Sequence, residues 1–241
     1  MVRFHLLSLL TFACCLAPLS SQAQELALTP MPQTTVPKWW KDRSDLLNAR
    51  AKEGGFDVMF IGDSITQGWE GAGKKVWEEK IAPLKAANFG ISGDRVEQVL
   101  WRLQNGNLSE NAKPKVAVLM IGTNNTGHRR EKPEMIAAGV KAIIGEIQKR
   151  KPDTKILVLA IFPRGAKTED ALRKNNDAAN ALIKGYADGK KVFYLDINKV
   201  FLGPDGTLSK DIMPDLLHPK EKGYEMWADA VVPEIKKLLA E

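Results

Sequence analysis

Val58-Met59-Phe60-Ile61-Gly62-Asp63-Ser64-Ile65-Thr66, VMFIGDSIT, is an apolar run that stops at a glycine, an acid and a hydroxyl. No position from Val58 to Ile61 is polar, so a strand there is buried on both faces, as strands of a helix-covered parallel sheet are. The runs DVMFIG, AANFG, KVAVLMIG, KILVLAIF and VFYLD repeat this character along the chain. WWKDRSDLLNARAKEGG precedes the first run and reads as a helix stopped by Gly54-Gly55. Helical patterns also lie between the runs, in KKVWEEKIA, DRVEQVLWRLQ, KPEMIAAGVKAIIGEIQKR and LRKNNDAANALIKGYA, and a last one follows in GYEMWADAVVPEIKKLLA. The alternation predicts an α/β domain over residues 39–241, its parallel sheet covered by helices on both sides. Ligands of such sheets sit outside the carboxyl ends of the strands, so the residues that follow each run are the places to search.

The first 23 residues read differently. Arg3 precedes the apolar FHLLSLLTFACCLAPL, and SQAQ places small Ser21 and Ala23 at a plausible cleavage point. This is the pattern of a secretory signal peptide, too short for a transmembrane segment. The expected protein is therefore exported, periplasmic or secreted. A lipoprotein signal on Cys14 or Cys15 fits worse, because both sit mid-run and bulky Phe12 occupies a small-residue position.

Cleavage after Ala23 removes both cysteines, leaving no disulfide or thiolate in the mature chain. Only His128 and His218 then remain of the histidines, which excludes a structural Cys/His zinc site, and no cofactor is expected. The formal net charge of +6 drops by one with Arg3. That excess suits solubility, or attraction to anionic surfaces and polysaccharides, but no basic-aromatic cluster of the nucleic-acid-binding kind accompanies it. LALTPMPQTTVPK, within residues 24–38, is proline-rich and aperiodic, and is expected to be a tether or extended arm.

Four strand-end or pre-helix stretches carry chemistry: Gly62-Asp63-Ser64, Asn88 to Asp94 (NFGISGD), Gly122-Thr123-Asn124-Asn125, and Asp215-Leu216-Leu217-His218. Each has a plain structural explanation alone. Ser64 can cap a helix, Gly93-Asp94 can form a turn and cap, Asn124 can bond its own loop, and Asp215 and His218 can be a surface pair. Together they supply what nucleophilic acyl transfer requires. Neutral histidine takes the proton of a serine hydroxyl, and an acid fixes the tautomer of that histidine. The backbone N–H groups of Ser64 and Gly93 and the Asn124 amide are donors for an oxyanion, and Gly93, lacking Cβ, lets backbone approach an ester.

In this order, G-D-S-I, the second-block glycine, G-T-N and D-x-x-H resemble the four blocks of the SGNH (GDSL) hydrolases. NFGISGDRVEQVLWRLQNGNL, KPKVAVLMIGTNN, FPRG and DGTLSKDIMPDLLHP are similar to the platelet-activating factor acetylhydrolase catalytic-subunit branch. The resemblance runs from about Trp39 to the C-terminus. It implies a flavodoxin-like three-layer α/β/α sandwich with a five-stranded parallel sheet. It implies Ser64 as nucleophile, His218 as base, Asp215 as its partner, and Ser64, Gly93 and Asn124 as the oxyanion hole. The relatives' dimers also allow a homodimer. Two features depart from the pattern: Ser92 stands where near relatives often carry glycine, and those relatives are intracellular whereas this chain carries an export signal.

The function expected is a serine esterase releasing short, acetyl-like acyl groups from a carbohydrate or small molecule. A lipid-directed hydrolase (acetylhydrolase, lysophospholipase or thioesterase) is the alternative, and a non-catalytic binding module the third. Asp63 and Trp69 are the candidate substrate contacts, although Asp63 also suits a turn and Trp69 a core position. Trp77 is expected in the core, and Arg164 either near the site or in a helix-side ion pair. His128, in TGHRRE, lacks an acid placed to orient it and is expected in a loop. GWEGAGKK, residues 68–75, is not a phosphate loop, because Lys75 replaces the required Ser or Thr and no strand runs into it; it is expected to be a flexible loop at the pocket edge. Thr66 where G-x-S-x-G has its second glycine argues against the ordinary nucleophile elbow.

Overall fold

The computed structural model describes residues 28–33 and 36–240. The signal-peptide reading and its two cysteines lie outside the described residues. Five strands form one parallel sheet in the order β2-β1-β3-β4-β5, with β1 Val58–Gly62, β2 Ala86–Gly90, β3 Val116–Met120, β4 Lys155–Leu159 and β5 Val192–Leu195. All five predicted runs are strands. Side chains alternate between faces along a strand, and here both faces are apolar. Met59, Ile61, Ala117, Leu119, Ile156 and Val158 point into one core, and Val58, Phe60, Val118, Met120, Leu157 and Leu159 into the other.

The main helices are α1 Lys38–Glu53, α2 Ser64–Gln67, α3 Val96–Arg102, α4 Thr123–Arg129, α5 Pro133–Arg150, α6 Ala171–Ile183 and α7 Glu221–Ala240. Helices α1, α3, α5 and α6 cover the first face through residues such as Leu47, Val99, Ile143 and Ala179. Helix α7 and the segment from Trp69 to Ile81 cover the second, through Trp227, Val231, Trp69 and Val76. The result is a three-layer α/β/α sandwich with flavodoxin-like strand order. Two details differ from the sequence reading. Helix α1 begins one residue early, at Lys38, and Thr123–Arg129 is helical, so His128 lies on α4 and not in a loop.

The chain leaves β1 for β2 on one side, then returns past β1 to β3 on the other. That reversal opens a crevice between the carboxyl ends of β1 and β3, where such folds hold ligands. Register sets what emerges there. Gly62 is level with Gly90 on β2 and with Met120 on β3, so Ser64, the Ser92-Gly93 turn and Asn124 leave the sheet at a common height.

Candidate active site

Ser64 is the first residue of α2, and the cap of that helix is its neighbour. The Asp63 side chain accepts a hydrogen bond from the Ile65 N–H at 3.0 Å, which frees the Ser64 hydroxyl from capping. Ser64 Oγ lies 2.9 Å from His218 Nε2, across 154 residues of chain. His218 Nδ1 lies 2.6 Å from Asp215 Oδ2. A proton on Nδ1 satisfies the carboxylate and leaves Nε2 to accept from the hydroxyl, the tautomer that proton abstraction needs.

The Asp215–His218 loop largely builds itself. Asp215 Oδ1 accepts from the backbone N–H groups of Leu217 at 3.0 Å and His218 at 2.7 Å, an Asx-type turn. Leu216 completes the bend at φ 60°, and its carbonyl accepts from the Gly165 N–H. Partial burial works against the Asp215 charge. The hydrogen bonds from the His218 ring and from the His218 and Leu217 backbone outweigh it and hold the carboxyl below its ordinary value.

The opposite wall is made of amides. Asn124, 6% exposed on α4, donates from Nδ2 to the Asp94 carbonyl at 2.9 Å, which ties the third block to the second and leaves its other amide hydrogen available. Gly93 sits at φ 76°, a left-handed conformation that favours glycine over residues with a Cβ. The backbone N–H groups of Ser64 and Gly93 have no partner among the described residues.

Beneath this wall lies a buried ion pair, Asp94 with Arg102, that the strand-end stretches alone do not announce. The fully buried Asp94 carboxylate accepts from Trp40 Nε1 at 2.7 Å, Arg102 Nε at 2.7 Å and Gln33 Nε2 at 3.3 Å. Arg102 also reaches the Gly62 carbonyl at 3.3 Å, so one buried ion pair joins the end of β1 to the Gly93 turn. Burial disfavours both charges, pushing Asp94 up and Arg102 down, and their contact opposes that drift. Its sequence signal is a cation at the end of one short helix whose positions Val96, Val99 and Leu100 are apolar.

Three expectations are corrected. Asp63, 1% exposed, lies beneath the loop with its carboxylate on the Ile65 N–H, so it does not face a substrate. Trp69, also 1% exposed, is core and no pocket wall, with ring centroids 4.6 Å from Tyr224 and 4.8 Å from Trp227. The start of the expected pocket-edge loop, Gly68–Glu70, is a helical turn that carries Trp69 into that cluster. Trp77 packs against the same cluster, 5.4 Å from Phe60. Arg164 lies near the site, lining one concavity with Asp215, and makes no side-chain ion pair among the described residues. It donates to the Thr123 carbonyl at 2.8 Å and hydroxyl at 3.2 Å, bracing the turn that carries Asn124. No carboxylate hydrogen bond orients His128 among the described residues. Burial and the charges of Arg95, Arg164 and Arg129 hold its imidazole below the ordinary histidine value.

Two concavities show how charge is distributed. One of about 550 Å³ adjoins the Asp215–His218 loop and is lined by Arg130, Arg164, Asp170, Asp215, Leu216 and Leu217 among others. A larger one, about 660 Å³, is remote from Ser64, at the amino ends of β3, β4 and β5. It is lined by basic side chains including Lys113, Arg150, Lys151 and Lys191. Helices α5 and α7 end nearby, and cations are favourable at helix C-termini.

The GDSL-like lipase/acylhydrolase family profile matches residues 60–226, which is most of the chain and spans all four blocks. The chain belongs to this family. It is 36% identical over 214 residues to the human platelet-activating factor acetylhydrolase IB subunit alpha1, covering 88% of this chain and 90% of that protein. It is 41% identical over 186 residues to the rat alpha2 subunit, covering 77% of this chain and 78% of that protein. Among solved structures, a GDSL-like lipase from Bacteroides thetaiotaomicron superposes with a TM-score of 0.67 at 20% identity, over 81% of this chain and 97% of that one. An acetylxylan esterase from Geobacillus stearothermophilus gives 0.60 at 21%, over 76% and 94%. As an SGNH/GDSL family member of the acetylhydrolase-like branch, the protein is a carboxylic ester hydrolase.

Proposed function

We propose that the protein is an exported serine esterase that releases short acyl groups, acetyl first, from a carbohydrate or small-molecule alcohol. The observation that carries the mechanism is the continuous Ser64–His218–Asp215 contact line, 2.9 Å and 2.6 Å, at the sheet's switch point. His218 takes the Ser64 proton as the hydroxyl oxygen attacks the ester carbonyl. The Ser64 and Gly93 N–H groups and the Asn124 amide receive the charge on the tetrahedral oxygen. His218 then gives its proton to the leaving alcohol, and water activated by the same nitrogen frees the acid.

Acetyl specificity is supported by what relatives with different alcohols share, an acetylhydrolase and an acetylxylan esterase. Export is supported by the apolar pattern of residues 1–23, and export in turn favours a glycan alcohol. A second reading, the same triad on an acetylated lipid, is supported by 36% identity to a platelet-activating factor acetylhydrolase subunit. The test is a p-nitrophenyl ester series from acetate to palmitate, followed by acetylated oligosaccharides and acetylated glycerolipids. The proposal expects kcat/KM to fall steeply beyond short acyl chains and acetylated sugars to be hydrolysed. A preference for long chains, or for the glycerolipids alone, would overturn it in favour of the lipid reading.

A further inference from the structure

The N-terminal arm reaches this site from outside the stretch matched by the family profile, through the side chain of Gln33. Gln33 Nε2 donates to the Ser92 carbonyl at 3.1 Å and lies 3.3 Å from Asp94 Oδ1. Its amide therefore straddles Gly93, and among the described residues it is the one neighbour that a Cβ on Gly93 would meet, at 3.4 Å. The Met31 N–H reaches the Glu97 carbonyl at 3.4 Å, so the arm runs along this loop and is not a free tether there.

The Ser92 carbonyl and the Gly93 N–H are opposite ends of a single planar trans peptide, so fixing one aims the other. That peptide is the centre of a turn closed by the Asp94 N–H on the Ile91 carbonyl, with glycine at positive φ in its third position, as in a type II turn. Types I and II differ by a rotation of this central unit, and glycine tolerates both signs of φ, so sterics alone do not forbid the flip. Gln67 Oε1 accepts from the Ser92 N–H at 2.8 Å, which restrains the preceding peptide but not this one. The carbonyl of the central peptide is held by Gln33.

We propose that Gln33 is a positioning residue for acyl transfer: it locks the Ser92–Gly93 peptide so that the Gly93 N–H faces the oxyanion, and it polarises that N–H through the shared amide. Hydrogen-bonded peptide chains strengthen one another by roughly 10–30% per bond. The arm is then part of the catalytic apparatus, and its contribution appears in the transition state and not in substrate binding.

This inference rests on the esterase reading above, and the experiment separates the two. Gln33→Met keeps the side chain's length and removes its donor; Gln33→Glu replaces the donor with an acceptor facing the Ser92 carbonyl and Asp94. Both are measured in the whole protein for kcat and KM on p-nitrophenyl acetate, for inhibition by an alkylboronic acid that forms a tetrahedral serine adduct, and for Tm. Gln33→Met is expected to lower kcat roughly five- to twentyfold, less than the 10²–10³-fold loss from deleting an oxyanion donor outright. Boronate affinity should fall in parallel, with KM and Tm held, and Gln33→Glu should lose more. Wild-type kcat and boronate affinity in Gln33→Met would overturn the proposal, as would a loss expressed in KM alone. A wild-type protein with no Ser64-dependent turnover would instead overturn the esterase reading itself.

Discussion

Asp215 and His218 hold their geometry near the surface, with side chains 55% and 41% exposed, whereas Asp94 and Arg102 on the other side of Ser64 are fully buried. The first pair is ordered by a turn of four residues that the acid itself closes. The second is ordered by three donors converging from the arm, α1 and α3. The contrast matches what each half must do. An acid-base pair exchanges protons with alcohol and water and must be reached by both. Oxyanion donors act through fixed orientation, and a buried network supplies that without reorganising. Stability and catalysis should therefore separate between the two halves.

Asp215→Asn is the sharpest break on the exposed side. It should lower kcat by about 10⁴-fold, because an amide no longer enforces the reactive tautomer. Tm should barely move, since the lost contacts are solvent-exposed; a large Tm drop would show that the loop is structural. Arg102→Met should do the reverse, costing about 3–5 kcal/mol in urea unfolding, because it strands Asp94 as an unpaired buried charge. Unchanged stability would remove the pair as the anchor of that wall.

Asn124→Ala should cost roughly 10²–10³ in turnover with KM little changed, if its free amide hydrogen meets the oxyanion. Full turnover would assign the side chain to holding the Asp94 carbonyl alone. A further effect concerns pH. Burial, aided by the charge of Asp94 and opposed by the Ile65 N–H and His218, raises the Asp63 carboxyl from 3.8 to about 7. The fold then holds this proton more tightly than the unfolded chain does. The resulting stability is present at low pH and fades as pH rises from the unfolded value towards about 7. Asp63→Asn keeps an acceptor for Ile65 and should flatten that decline, read as urea midpoints between pH 4.5 and 7.5.

How much of this was legible in the sequence follows the same division. The five strands were readable because burial on both faces writes an unbroken apolar run, and Ser64, Gly93 and Asn124 because they follow those runs, while Asp215 and His218 precede the last helix. Helix α4 was missed since Thr, Asn and Gly are weak helix formers. Its order comes from tertiary hydrogen bonds, such as Asn125 Oδ1 accepting from the Val96 N–H and its amide donating to Glu131. Trp69 was misplaced because proximity to Ser64 in sequence does not say which way a helical turn rolls its side chain. The Asp94–Arg102 pair left only a charge on an apolar stripe, and its partners Trp40 and Gln33 lie 54 and 61 residues before Asp94. Short-range pattern carries the exposed half of the site; the buried half depends on long-range packing.

At the base of the proposed mechanism, folding makes the Ser64 hydroxyl a nucleophile activated by His218. Mass spectrometry of the folded protein after reaction with a p-nitrophenyl alkylphosphonate tests it directly. One phosphonyl group is expected, on the peptide carrying Ser64, absent in Ser64→Ala and strongly slowed in His218→Ala. An unlabelled Ser64 in folded protein, or labelling as fast without His218 as with it, would contradict it.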